Sequence, residues 1–294
     1  MTGIVDAHHH IWRQMDLPWL MGPMQPRIFG PYDAIRRDYR IEEYLDDIED
    51  AGIEKSVYVQ ANWTPDQFED EVAWVQSVAD SHGWPNAIVG YADFMQKDVR
   101  PDLDRLKPHR LMRGVRQQLH WHTNEQYRFA ASPDLPRDET LQRNIARLAD
   151  YGWCFELQVF SGQMASAADL ARSCPEVTFV LQHAGMLEDV TEPGRARWRD
   201  GMKRLADCRN VVCKLSGLGT FIHRNDPDHI VEIVAESVSI FSAERCLFGS
   251  NFPIEKLWTD YSSLIGAYRQ ATADMGDADR EAIFCRTAER VYRL

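Results

Sequence analysis

The chain has 294 residues, 33 Lys and Arg against 45 Asp and Glu, a net charge of −12 and 44% hydrophobic residues. That balance excludes a disordered or collagen-like chain, and no stretch approaches the roughly 18 consecutive apolar residues of a membrane span. An acidic chain with no Lys/Arg run repels phosphate backbones, which excludes nucleic acid as a partner.

Length is compatible with two domains of about 150 residues, but one α/β barrel of roughly 250 residues accounts for it as well. The pattern along the chain favours the barrel. Apolar runs rich in β-branched residues recur at 3–7, 56–60, 87–94, 111–117, 154–159, 177–182, 211–215 and 246–249, each followed by apolar residues at helical spacing. That alternation predicts βαβ units and a parallel sheet, and eight strands is the number that closes a (β/α)8 TIM barrel. The expected architecture is therefore α/β, one barrel domain over residues 1–294.

The first run ends in His8, His9 and His10. Residues i and i+2 of a strand share a face, so His8 and His10 are expected to point into the barrel mouth and His9 away from it. Two neutral imidazoles at about 2.0–2.1 Å from one cation would supply half the ligands of a mononuclear zinc site. The N-terminus MTGIVDAHHHIW lacks the apolar stretch of a secretory signal, so a cytoplasmic protein is expected.

Residues 12–40 carry four prolines together with Trp12, Trp19, Phe29 and Tyr32, too aromatic for a linker. Residues 118–137 hold His120, Trp121, His122, Tyr127 and Phe129. Both segments follow predicted strands and so belong at the C-terminal face, where barrel enzymes build their sites; Trp12 and His120 are expected to contact substrate there. Between them, Ile41, Tyr44, Leu45 and Ile48 fall on one helical face with Gly52 as a stop, and Phe68, Val72, Val75 and Ala79 do the same before Gly83. The acidic residues Asp46, Asp47, Glu49 and Asp50 read as solvated surface. Gln60, ending the second strand, is a candidate partner for a substrate hydroxyl.

Arg116 and Lys214 put positive charge at the fourth and seventh strand ends, which favours an anionic or carbonyl-rich substrate; neutralisation of Glu156 is an equal alternative. Glu156 alternates with Phe155 and Leu157 and therefore points inward, where a carboxylate needs a cation or a basic neighbour, which makes it a candidate metal ligand beside His8 and His10. Leu141, Ile145 and Leu148 repeat the helical spacing before Gly152, and further helices are built on Trp198, Met202 and Leu205, on Ile230, Val234 and Phe241, and on Leu264, Ile265 and Tyr268. His183 ends the sixth strand, and Gly185 after it would let backbone approach a ligand. The six cysteines form no C-x-x-C pair and are expected to be buried free thiols. No G-x-S-x-G, G-x-G-x-x-G or Walker sequence occurs, so serine-hydrolase and nucleotide chemistry are unsupported.

Taken in order, VDAHHHIW, RGVRQQL, FELQVF, QHAG, KLSGL and FGSNFP resemble the amidohydrolase-2 branch of the amidohydrolase superfamily, and within it the sugar-lactone and muconolactone hydrolases. The resemblance implies a (β/α)8 barrel whose His8 and His10 bind one divalent metal, usually zinc, with Glu156 at a fifth-strand position where members vary, His183 as the sixth-strand histidine and Arg116 holding a substrate carboxylate or hydroxyl. The substrate does not follow from the resemblance; the expected activity is metal-dependent hydrolysis of a lactone, a sugar lactone or muconolactone, with a small anionic or polyhydroxylated substrate. In that scheme Arg116 or Lys214 stabilises the oxyanion and His183 protonates the departing alkoxide. One departure stands out: the family's Gly-Ser-Asp-Trp-Pro is Gly249-Ser250-Asn251-Phe252-Pro253 here. An amide cannot take a proton near neutral pH, so Glu156, His183 or Glu255 would replace it as base, Glu255 only if the turn after Pro253 folds back over the mouth. A metal-dependent decarboxylase and a binding homologue with impaired turnover are the alternatives, and a homo-oligomer is compatible with all three.

Overall fold

A computed structural model describes residues 3–294. The eight expected strands form: β1 (Ile4–His9), β2 (Ile53–Val59), β3 (Ala87–Gly90), β4 (Met112–Arg116), β5 (Cys154–Leu157), β6 (Phe179–Leu181), β7 (Val211–Leu215) and β8 (Cys246–Phe248). They pair in parallel in sequence order. β3 stops four residues short of the expected end at Phe94, because the chain turns into a loop that buries the Phe94 ring.

The seam between β8 and β1 closes through the segment after β8. The Asn251 N–H donates to the His8 carbonyl at 2.7 Å, and the His10 N–H donates to the Phe252 carbonyl at 2.7 Å. Beneath them Ser250 donates its N–H to Asp6 Oδ1 at 2.8 Å and its hydroxyl to Oδ2 at 2.6 Å. Asp6 also accepts from the Tyr44 and Tyr261 hydroxyls, each at 3.0 Å, so this buried carboxylate is satisfied by hydrogen bonds rather than by a counter-charge.

Two apolar layers follow from the period of two in each strand. Val5, Ala7, Val57, Val59, Val89, Val180, Val212 and Leu247 fill the barrel interior, closed below by Ala288 and Tyr292 of the C-terminal helix Thr287–Tyr292. The alternate residues, among them Tyr58, Ile88, Val115, Phe155, Phe179 and Phe248, pack outward against the helices. Those helices include Ile41–Ile48, Phe68–His82, Glu139–Ala146, Glu192–Ala206, Pro227–Phe241 and Tyr261–Ala271. Gly83 ends Phe68–His82 and Gly152 ends a separate short helix, Leu148–Tyr151, with φ of +78° and +64°, a conformation that costs a Cβ-bearing residue. Helices Arg100–Leu106 and Met164–Ser173 were not singled out by spacing.

Of the acidic run, Asp46, Glu49 and Asp50 are exposed as expected. Asp47 is not free: it accepts from the Tyr39 hydroxyl at 2.6 Å and from Lys256 Nζ at 2.8 Å. All six cysteines are buried and free, and among the described residues no helix is long and apolar enough to cross a membrane.

Candidate active site

A bulge in β1 sets the site. Between Asp6 and His9 the first strand spends one residue more than β2, which pairs Ser56 and Tyr58 with them. Val5 and Ala7 point into the barrel, so strict alternation would bring His9 inward next. The extra residue reverses the phase. His9 turns out and stacks on Tyr44 with ring centroids 3.9 Å apart, while His8 and His10 face each other at 5.1 Å.

The mouth above them is a pocket walled by the two long loops, with His10, Trp12, Arg27, Phe29, Arg116, His120, Phe129, His183 and Asn251 among its lining. Trp12 and His120 thus lie where expected. Trp12 is anchored by donating Nε1–H to the Arg37 carbonyl at 2.8 Å.

The histidines form a neutral group. The His8 ring centroid is 4.8 Å from that of His183, and neither His8 nitrogen has a hydrogen-bond partner although the side chain is fully buried. His10 Nδ1 lies 2.6 Å from the Val59 carbonyl oxygen. A carbonyl only accepts, so Nδ1 carries the proton and Nε2 keeps its lone pair. His183 Nδ1 sits 2.9 Å from Ser216 Oγ. Burial, assisted by nearby cationic groups, holds all of them neutral: the His8 and His10 pKa values fall well below the usual range, and those of His183 and His120 fall to about 3. After burial the largest cause is Lys214 for His8, and Arg116 for His10, His120 and His183.

His183 stands on a turn in which it, Ala184 and Met186 all have positive φ, of 54°, 47° and 51°. Such strain persists only where surrounding structure enforces it. The Trp198 indole N–H donates to the Ala184 carbonyl at 2.7 Å and helps to do so. Gly185 does not serve a ligand. A Cβ there would meet Met164 at 2.3 Å, so its smallness serves packing beneath the turn. The glycine that opens the site is Gly217, where a Cβ would fall 2.6 Å from His183 Nδ1 and 3.1 Å from Asn251 Nδ2.

Glu156 is where the expectation needs correction. Its carboxylate accepts from Lys214 Nζ at 2.8 Å on both oxygens, from Gln182 Nε2 at 3.1 Å and from the Tyr292 hydroxyl. Glu156 and Lys214 are completely buried and neither lines the pocket. Glu156 is therefore a structural anion beneath the floor rather than a metal ligand or base, and Lys214 is its counter-ion rather than a substrate contact. The expected ligand set of His8, His10 and Glu156 is not assembled. Among the described residues no group of three or more His, Cys, Asp or Glu side chains is placed to hold a metal ion.

Arg116 remains over. Its guanidinium donates to the Gln60 carbonyl and, at 3.5 Å, to Gln182 Oε1, while Nε has no partner. Burial lowers its pKa to about 10, still well inside the charged range at neutral pH. Gln60 acts on the site through that carbonyl. Its side-chain oxygen caps the Asn62 N–H at 2.7 Å and the residue does not line the pocket.

Asn251, with φ +61°, presents its amide to the pocket and donates to the Glu255 carboxylate. The turn after Pro253 does fold back, as required for Glu255 to join the site, but the carboxyl stays behind Asn251. It accepts from the Trp258 indole N–H at 2.9 Å and the Thr220 hydroxyl at 3.4 Å, and burial raises its pKa to about 7. Glu71, beneath the loop that follows β2, is likewise raised to about 7 by burial while accepting from the Ala61 N–H at 2.5 Å and the Tyr58 hydroxyl at 2.8 Å.

Sequence reasoning missed Arg27 and Arg128 in the pocket wall. Lone arginines in an irregular loop carry no periodic signal, and only the packing of the two long loops together brings them to the mouth.

Comparison with known proteins agrees with this architecture. The chain is 35% identical over 99% of its length to protein y4mH of Sinorhizobium fredii, covering 98% of that protein. It is 27% identical to an L-fucono-1,5-lactonase of Burkholderia multivorans, covering 99% of this chain and 96% of the relative. A zinc-bound crystal structure of a Burkholderia multivorans amidohydrolase superposes with a TM-score of 0.82 at 26% identity, over 99% of both chains. The amidohydrolase family model matches residues 5–294, and with the barrel and the strand-end histidines in place, the chain belongs to the amidohydrolase family.

Proposed function

We infer that the protein hydrolyses the ester bond of a carboxylate-bearing lactone. The observation that carries this reading is Arg116, a guanidinium only 4% exposed that lines a pocket among neutral imidazoles and has no carboxylate within ion-pair distance among the described residues, Glu156 and Glu71 acting on it only from farther away. A buried cation left in this way is costly unless a ligand supplies the anion. The lactonase relative supports ester chemistry.

The orphaned nitrogens of His8 and the fixed tautomer of His10 suit a divalent ion in donor type, since neutral imidazoles oriented by a backbone carbonyl are what zinc selects. His8 and His10 would hold it, in keeping with the zinc of the structural neighbour. When bound, such an ion polarises a carbonyl and brings the pKa of a coordinated water from about 15.7 to about 7.

The rest of the work falls to the chain. Arg116 grips the substrate carboxylate through paired N–H donors and fixes the ring over the histidines. Asn251 lines the pocket, and its amide oxygen can accept a hydrogen bond from the attacking water. His183 takes a proton from that water and returns it to the ring oxygen as the acyl C–O bond breaks, so that lactone and water give the hydroxy acid with no other reactant.

The test is acid release from a panel of aldonolactones and muconolactones with stoichiometric zinc present. Turnover of a carboxylate-bearing member is expected. No turnover on any member overturns the reading, and carbon dioxide release without ring opening would replace it with decarboxylation.

A further inference from the structure

The pocket inverts the charge of the protein. The chain carries −12 overall, yet the ionised side chains lining the mouth are Arg27, Arg116 and Arg128 against Glu125 alone. Such a cationic cavity in an acidic surface focuses potential on anions.

The three arginines are not equivalent. Arg128 is already used: it donates to the carbonyls of His122 and Thr123 at 3.2 and 3.3 Å, lies over Trp121 and faces Glu125 at 3.8 Å. Arg27, partly exposed where Arg116 is buried, is like it in having no carboxylate within ion-pair distance among the described residues. Its Nε is buried with no partner, and no carboxylate pairs with it among the described residues. Its backbone is held from both sides of the mouth, because its carbonyl accepts from the Gly30 N–H at 3.0 Å and from Gln126 Nε2 of the other loop at 3.2 Å. The guanidinium sits over the Trp19 ring, 5.6 Å from its centroid. This is a positioned cation in the wall, matched to a second one near the floor.

We propose that the pocket takes a dianion, one acidic group on Arg116 and a second on Arg27, so that the substrate is a lactone with two anionic groups rather than a neutral sugar lactone. The proposal rests on reading this pocket as the substrate site, and it makes Arg27 the specificity-determining residue. Each charge-assisted pair is worth about a ten- to hundredfold change in affinity.

The experiment is binding of short α,ω-dicarboxylates, succinate to suberate, against their matched monocarboxylates. Quenching of the tryptophans lining the pocket gives the readout at fixed ionic strength. The best dicarboxylate should bind about ten- to a hundredfold more tightly than its monocarboxylate. Arg27→Gln should erase that margin while leaving monocarboxylate affinity within about twofold, and Arg27→Lys, which keeps the charge but not the fork, should retain part of it. Arg116→Gln should weaken both ligand classes. Equal affinity for the two classes in the unmodified protein, or a margin that survives Arg27→Gln in a variant with unchanged melting, overturns the proposal. Because binding is read without turnover, a protein inert toward every lactone but showing the Arg27-dependent margin would sink the hydrolase reading alone.

Discussion

Lys214 places its ammonium 2.8 Å from both carboxylate oxygens of Glu156, and neither side chain has any exposure to solvent. The pair joins β5 to β7 across the barrel interior, and Tyr292 of the C-terminal helix donates to the same carboxylate from below. It is the floor on which the histidines rest.

Breaking one partner of such a pair leaves an uncompensated buried charge. Lys214→Met should therefore cost about 3–5 kcal/mol in urea unfolding, and Tyr292→Phe about 1.5–3 kcal/mol for a hydrogen bond to a charged group. The double variant Glu156→Gln with Lys214→Met should cost less than the sum of the singles. A loss below about 1 kcal/mol for Lys214→Met would show that the pair is not buried as described.

Zinc should bind at His8 and His10 and raise the melting temperature. At a concentration about a hundredfold above its dissociation constant the gain is about 2.7 kcal/mol, which in a chain of this length is a shift of a few degrees. His8→Ala should abolish the shift, and a chelator should reverse it in the unmodified protein. An unchanged zinc response in His8→Ala would place the ion elsewhere.

Asn251→Asp restores the family's residue, yet here it should impair the protein. The new carboxylate would face Glu255, whose own carboxyl now accepts from the Asn251 amide, and two carboxylates in one buried place cannot both ionise cheaply. Lower stability at pH 8 than at pH 5, relative to the unmodified protein, is the expected result. A clear gain in turnover would show instead that Asn251 is simply a lost base.

Glu255 also sets a pH dependence. Its carboxyl is raised from 4.5 to about 7 by burial, so between those values the folded chain holds a proton that the unfolded chain has released. The resulting stability is fully present below pH 4.5 and is lost as pH rises through about 7, by up to about 3 kcal/mol. Subtracting the stability curve of Glu255→Gln from that of the unmodified protein should isolate this slope, while Glu71, raised in the same way, contributes equally to both curves. A flat difference between pH 5 and pH 8 would contradict the assignment.

Much of this was legible in the chain. Period-two runs and helical faces are local properties: Phe155 and Leu157 face out and Glu156 faces in because a pleated strand permits nothing else. The same holds for the faces on Ile41, Tyr44 and Ile48. What Glu156 would meet inside was not local. Lys214 lies 58 residues away, and only closure of the barrel brings β5 and β7 to bear on one carboxylate.

The histidine pair shows the division most sharply. The sequence determined that two imidazoles two residues apart end the first strand. Their inward direction depends on a bulge between Asp6 and His9, one extra residue that no alternation of apolar and polar positions records, fixed by the fit of β1 between β2 and the segment after β8. The tertiary structure likewise decided which charges are free. Lys214 and Glu156 form an ion pair, whereas no carboxylate lies within ion-pair distance of Arg116 or Arg27 among the described residues, because a charge is paired only by what lies within a few ångströms of it, and for residues distant in sequence only the folded chain sets that distance.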